Sequence, residues 1–327
     1  MRHINRKVIK CILGVLFLPV LYILLSLIMF FWGVKFSRTG AEFFVCEVGI
    51  LLVLSCAMSL SLDFNTFDFS LGAVACLSPI LTLGLFPSAC GLGLLFLSLL
   101  LGCLMGLAVG SICVLSHIPY AWISLCMCLV YEGIATFCYT EKQYHGEFLG
   151  STVGFFAVFF VLLSVLLYIV FEKSLFGRVC CAISQNPRLC KEEGVNVTLH
   201  KLILNTVSGG LMGILGVMLY INEGRLLPSG QNFTSLRILF FGLLPLFFGK
   251  LLSYCCGNFI GKILGCVGSG MIYASLKIMG ADENLRVIIS SIILLLLLIY
   301  LSNRRNIFKH ILPKKHREKN EKNVKKF

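Results

Sequence analysis

Apolar runs of about twenty residues follow one another along most of this chain, and they are continuous rather than alternating with polar residues. At 1.5 Å per residue, a helix of that length crosses a hydrocarbon layer roughly 30 Å thick. Only helices and closed barrels satisfy their backbone polar groups in lipid, and barrel strands alternate where these runs do not. The chain therefore reads as an all-α polytopic membrane protein. Composition agrees: 58% of its 327 residues are hydrophobic and 13% are charged, and the mean hydropathy is +0.93.

Read in order, the runs give about ten transmembrane helices, at 11–33, 43–62, 69–86, 90–115, 119–139, 152–171, 201–221, 236–249, 257–278 and 287–302. The basic start followed by an apolar run looks like a signal peptide. That run is too long, however, and Phe30, Phe31 and Trp32 stand where a cleavage site needs small residues, so it reads as an uncleaved first span. Residues 1–303 form a single membrane domain carrying an internal polar loop at 172–200, and residues 304–327 form a basic tail.

The net charge of +13 is distributed as a topology signal. Ten Lys/Arg follow Asn303, four precede Cys11 and five lie from Glu172 through Lys201. All three clusters flank spans, which by the positive-inside rule puts both termini and the loop in the cytoplasm. This distribution argues against nucleic acid as a partner and leaves the bilayer, including anionic lipid near the tail. Most of the 16 cysteines lie within apolar runs, as Cys56, Cys103, Cys126, Cys128 and Cys266 do, where a thiol behaves as a small hydrophobe. No CxxC pair with matching histidines suggests a metal or redox site.

Two polar stretches interrupt the pattern. The longer is FEKSLFGRVCCAISQNPRLCKEEGVNVTLHK, from Phe171 to Lys201. Asn186 suits a helix cap, Pro187 the first helical position and Gly194 the close, so a short helix is expected between them. The shorter is DFNTFDFSLG, from Asp63 to Gly72, where Asp68 and Ser70 suit the start of a new helix. Polar groups at broken or re-entrant helices often line cavities, which makes Asn65, Asp68 and Ser70 candidates for a translocation pathway. Glu47 and Glu132, carboxylates inside spans, are weaker ones, and for Asp68 a purely capping role stands beside the pathway role.

These stretches carry a resemblance. Phe176-Gly177-Arg178, Ala182-Ile183, Asn186-Pro187 and Gly194-Val195-Asn196-Val197 resemble the cytoplasmic loop of ribose/galactose-type ABC importer permeases, within the wider sugar, branched-chain amino acid and nucleoside permease superfamily. The segment Asp68 to Gly72 is similar to an Asp-Leu-Ser-x-Gly segment of the same family, with Phe69 for Leu. Ile118-Pro119-Tyr120 and the Ser208-Gly209-Gly210 run with Gly213 and Gly216 are similar as well. The chain departs from the family at Glu132-Gly133, where Arg-Gly is common, and around 240–262, where a glycine-rich stretch is usual.

The resemblance implies a permease subunit of an ATP-driven importer in the cytoplasmic (inner) membrane. Its short loop helix would be a coupling helix, with Arg178, Asn186, Pro187, Arg188, Leu189, Lys191, Glu192, Glu193 and Gly194 meeting a cytoplasmic ABC ATPase subunit. Further partners implied are a second permease subunit, identical or a similar paralogue, and an extracytoplasmic solute-binding protein. The chain would be no enzyme and hold no cofactor, since ATP and Mg belong to the ATPase and no GxxxxGK[ST] loop occurs here. The cargo implied is a simple sugar such as ribose or galactose, with nucleosides, riboflavin or branched-chain amino acids as alternatives. An ion-coupled secondary transporter is the reading of another class. A membrane enzyme would want clustered His or Asp/Glu, whereas the six histidines are scattered.

Overall fold

The computed structural model describes residues 2–31, 38–63, 67–86, 91–116, 118–139, 152–223, 234–256 and 258–311. The helices are α1 (Arg2–Phe31), α2 (Arg38–Asp63), α3 (Leu71–Leu85), α4 (Gly91–Ser116), α5 (Tyr120–Cys138), α6 (Thr152–Tyr168), α7 (Leu175–Gln185), α8 (Pro187–Glu192), α9 (Val197–Glu223), α10 (Thr234–Cys256), α11 (Asn258–Ile278) and α12 (Glu283–Ile311). A single π turn, Ile169–Lys173, joins α6 to the segment before α7. No strand occurs among the described residues.

Among the described residues, seven helical stretches are long and apolar enough to cross a membrane: Gly40–Leu62, Gly91–Ser116, Tyr120–Cys138, Val197–Glu223, Thr234–Ser253, Phe259–Ile278 and Asn284–Asn303. Three shorter apolar helices, Leu16–Phe30, Leu71–Leu85 and Ala157–Leu166, accompany them. Ten crossings, the number expected from the sequence, therefore require the short helices to span as well. Several boundaries differ from expectation, α1 beginning at Arg2 rather than at residue 11. The helix expected at 236–249 extends through Thr234–Cys256, and α12 continues to Ile311, past the expected start of the tail. Helix continues there because neither Pro nor Gly interrupts the sequence after Lys250 or after Asn303 until beyond those ends.

The core lies around α2, α3 and α9. Val53, Ala57, Ala73, Leu215 and Val217 are all inaccessible or nearly so, whereas α12 turns Ile288, Ile292 and Leu295 outward. Such outward apolar faces are what lipid contact requires.

Close approach, more than bulk, holds α4 to α9. A methyl added at Gly102 would meet the Gly209 carbonyl, one at Gly106 the Asn205 carbonyl, and one at Gly213 the Ser98 carbonyl. Backbones this near gain dispersion contacts that side chains would prevent, which matters in lipid, where no hydrophobic force drives helices together. Ser98 Oγ then donates to Gly213 O at 2.9 Å across the same seam. The glycine run read from the sequence as a packing surface is one.

Candidate functional site

The charged segment folds as two helices where one was expected. Ser174 caps α7, its hydroxyl accepting from Gly177 N at 3.1 Å. Gly177, Cys180 and Ile183, three residues apart, face inward, while Arg178, Cys181 and Ser184 face out. That amphipathic spacing was legible in the sequence but obscured by the two cysteines and the short length.

Asn186 ends α7 and starts α8, its side-chain Oδ1 accepting from Leu189 N at 3.2 Å. Pro187 holds the first position, where no N–H is needed. At the other end Gly194 N donates to Lys191 O at 3.1 Å and Val195 N to Cys190 O at 2.9 Å. This is the paired closure that needs a left-handed residue, and Gly194 has φ +85°. The result is a one-and-a-half-turn helix with only Cys190 turned inward. Arg188, Leu189, Lys191, Glu192 and Glu193 all project outward, Leu189 with half its surface exposed.

Burial raises the Cys180 thiol on α7 to about 11, with neighbouring Cys181 adding to the effect. Phe176 stacks on His200 at 5.8 Å, tying the start of α7 to the first turn of α9. Asn196 Oδ1 accepts from Leu199 N at 3.2 Å, so the chain leaves the segment as tightly capped as it entered.

The second cluster surrounds the start of α3. Asp68 is 1% exposed, and its Oδ1 accepts from Ser70 N at 2.8 Å and from Ser70 Oγ at 2.6 Å. Its Oδ2 accepts from Tyr120 Oη at 3.1 Å. The expected cap is corrected in detail: Ser70 occupies the capping position in helical conformation without a side-chain cap bond, and Asp68 instead braces it from two residues upstream. Asn65 lies outside the described residues.

Glu132 is not isolated within its span. Ser235 Oγ on α10 donates to Glu132 Oε1, and Cys128 Sγ lies 3.6 Å from the same hydroxyl. A methyl on Gly72 would overlap the Ser235 carbonyl, so the Asp68 corner and the Glu132 pair adjoin through these two residues. Tyr120 and Ser235 were missed at the sequence level, because a lone Tyr or Ser in an apolar run gives no sign of a partner 52 or 103 positions away.

Glu47 belongs to a different group. Its Oε1 lies 3.6 Å from Lys277 Nζ on α11, and that ammonium also sits 4.7 Å over the Phe43 ring. Glu47 lines a cleft of about 80 Å³ with Asn222 and Glu223 of α9, Arg237 of α10 and Arg286 of α12. Of the described candidates read from the sequence, only Glu47 faces this cleft.

A family model described as "Branched-chain amino acid transport system / permease component" matches residues 40–299. The chain is 27% identical over 300 residues to the fructose import permease protein FrcC of Rhizobium meliloti, covering 81% of this chain and 79% of that one. It is 26% identical over 151 residues to the ribose import permease protein RbsC of Bacillus subtilis (strain 168), 46% of this chain and 45% of the other. A third relative, the probable ABC transporter permease protein YphD of Escherichia coli (strain K12), is 25% identical over 154 residues, 46% and 43% of the two chains. No solved structure matches the chain.

Proposed function

The chain belongs to the permease-component family of branched-chain amino acid transport systems, and from this premise we propose that it is the membrane subunit of an ATP-driven ABC importer carrying a small polar solute, a simple sugar such as ribose or galactose first among them. The observation that carries the proposal is α8. Six residues of helix, capped by the Asn186 side chain at one end and closed by the backbone bonds of Gly194 and Val195 at the other, with Leu189 exposed alongside Arg188, Lys191, Glu192 and Glu193, make a defined handle rather than a loose connector. A cytoplasmic ATPase subunit gripping that handle could move α7 and α9, which the segment joins without slack, and so tilt the bundle between two packed arrangements.

On this reading all ten apolar helices cross the membrane, both termini and the α7–α8 segment face the cytoplasm, and the bilayer is the inner membrane. ATP and Mg act on the partner ATPase. A second permease subunit, identical or a paralogue, completes the pathway, and an external binding protein delivers the solute. Arg178, Arg188, Lys191, Glu192 and Glu193 set the register of docking, and Asp68 with Ser70 lies beside the pathway. The similarity to a fructose and a ribose permease favours sugar cargo. The family's own description favours a second reading, branched-chain amino acids on the same machine.

Deleting the gene and measuring uptake of labelled ribose, galactose, fructose and leucine decides between them. Loss of one sugar's uptake, restored by the intact chain, is the expected result. Loss of leucine uptake alone would favour the second reading, and uptake that persists when ATP is depleted but collapses with the proton gradient would overturn both.

A further inference from the structure

Helix α9 begins at Val197, directly after the charged α7–α8 segment, and ends at Glu223, a run of 27 residues. At 1.5 Å per residue that is about 40 Å, so Glu223 marks the end of the bundle remote from α8. Other charges collect there. Glu223 lines the polar cleft with Glu47 in the first half of α2, Arg237 in the first turn of α10 and Arg286 in the first turn of α12. Lys277 of α11 reaches Glu47 at 3.6 Å. Glu132 of α5 adjoins them through Ser235, two positions before Arg237.

These side chains form a balanced set. The carboxylates of Glu47, Glu132 and Glu223 stand with the cations of Arg237, Lys277 and Arg286. Glu47 is attracted by both Lys277 and Arg286 and repelled by Glu223, Glu132 accepts from Ser235, and Arg237 is itself engaged. Charge inside a membrane span is costly unless partnered, and here each sign is answered within the set. Such a set has no call for a bound ion. What it does is tie together the ends of α2, α9, α10, α11 and α12.

Three features make the tie a breakable one. The cleft it surrounds measures about 80 Å³, well below the ~150 Å³ cavity that takes a benzene ring, so no monosaccharide is seated while it is closed. The Arg286 Nε is buried without a hydrogen-bond partner among the described residues, and water admitted by opening would satisfy that donor. Helix α12, which carries Arg286, fully buries only Ser290 and Leu297 among its described residues, so moving it disturbs little core.

We infer that Glu47 and Lys277, with Arg286, form an ionic latch that closes the solute path at the end remote from α8 and parts when the path opens there. The inference rests on the importer reading above, which makes that end external and the α8 end cytoplasmic. A tilt of α9 imposed at α8 displaces Glu223, at the other end of the same helix, relative to Arg237 and Arg286, which share its cleft.

The test uses the full chain in its native membrane and has two arms. In the first, Ile50→Cys places a thiol on the buried cleft wall, one turn along α2 from Glu47. A charged, membrane-impermeant thiosulfonate is added from outside, and labelling at position 50 is followed by mass spectrometry. Adding Lys277→Gln, which leaves Glu47 with Arg286, should speed labelling about tenfold, between the worth of an exposed and of a buried pair. An unchanged rate would overturn the latch. In the second arm, Glu47→Cys and Lys277→Cys are bridged by a short bis-thiosulfonate spanning the length of the lost side chains. Uptake of labelled ribose and fructose should fall to background and return with dithiothreitol, while the same reagent leaves uptake by the intact chain, with its 16 native cysteines, unchanged. A pair that only braces the fold tolerates bridging, so uptake that continues after it would overturn the proposal. An intact chain that takes up neither sugar would count against the sugar-import reading alone. The labelling arm needs no cargo and still decides the latch then, as it does where the double variant fails to fold.

Discussion

The Asp68 carboxylate shows how one buried group can organise a break between helices. It accepts three hydrogen bonds, two from Ser70 and one from Tyr120. Removing it leaves those donors unsatisfied at about 1–3 kcal/mol each. Asp68→Ala should therefore destabilise the protein by roughly 3 kcal/mol or more and Tyr120→Phe by about 1 kcal/mol, read as melting in detergent. Equal melting of both variants and the intact chain would remove Asp68 from the structural account. The polar break itself was legible, since Asp68 and Ser70 stand out between apolar runs. Their true geometry was not, because the brace depends on Tyr120, which only folding brings near. The thiols of α7 allow a second residue-level check. Cys180 is buried with its pKa raised to about 11, whereas Cys181 is exposed. The thiolate is the reactive form, so below that pH Cys180 stays protonated and shielded. A maleimide at pH 7.5 should modify Cys181 well before Cys180, by mass spectrometry of the peptide, and comparable labelling would mean that α7 is undocked.

At the scale of elements, glycine has two distinct jobs that the sequence alone does not separate. Gly102, Gly106, Gly209 and Gly213 are where α4 and α9 touch backbone to backbone, whereas Gly93 and Gly133 have open space at the Cβ position. Gly209→Val should abolish stable protein, while Gly133→Ala should be neutral or slightly stabilising because helix propensity favours Ala by about 1 kcal/mol. Equivalent loss in both would show that the seam is not where the structure puts it. The α9 run Ser208-Gly209-Gly210 was readable as a packing surface, yet its partner was not, since α4 carries its glycines within an undistinguished apolar stretch. The α7–α8 segment was readable in the opposite way. Asn186, Pro187 and Gly194 announce the bounds of α8 from local chemistry alone, and each acts as its type dictates. Helix α7 escaped notice because its inward stripe is made of Gly177, Cys180 and Ile183, of which only Ile183 is a strongly apolar residue, so the period was present but carried by small side chains.

Across the whole molecule, the account is of a bundle with its most buried helices, α2, α3 and α9, inside and its lipid faces on helices such as α12, carrying a rigid charged handle between α6 and α9. The helical membrane class followed from apolar runs that no soluble core could bury, and the family from short motifs at the two polar breaks. The pairings Glu132–Ser235 and Glu47–Lys277 lay beyond the sequence, because they join residues 103 and 230 positions apart. The central claim is that α8 couples this bundle to an ATPase, and it is tested most directly by purifying the tagged chain from its native membrane, intact and with Leu189→Ala and Glu193→Ala together. Leu189 lies on the exposed face of α8 and Glu193 is the exposed residue that ends it, so the bundle should remain folded. The account predicts that an ABC ATPase accompanies the intact chain, is lost from the variant, and that solute uptake is lost with it. Unchanged ATPase recovery and unchanged uptake in the folded variant would contradict it.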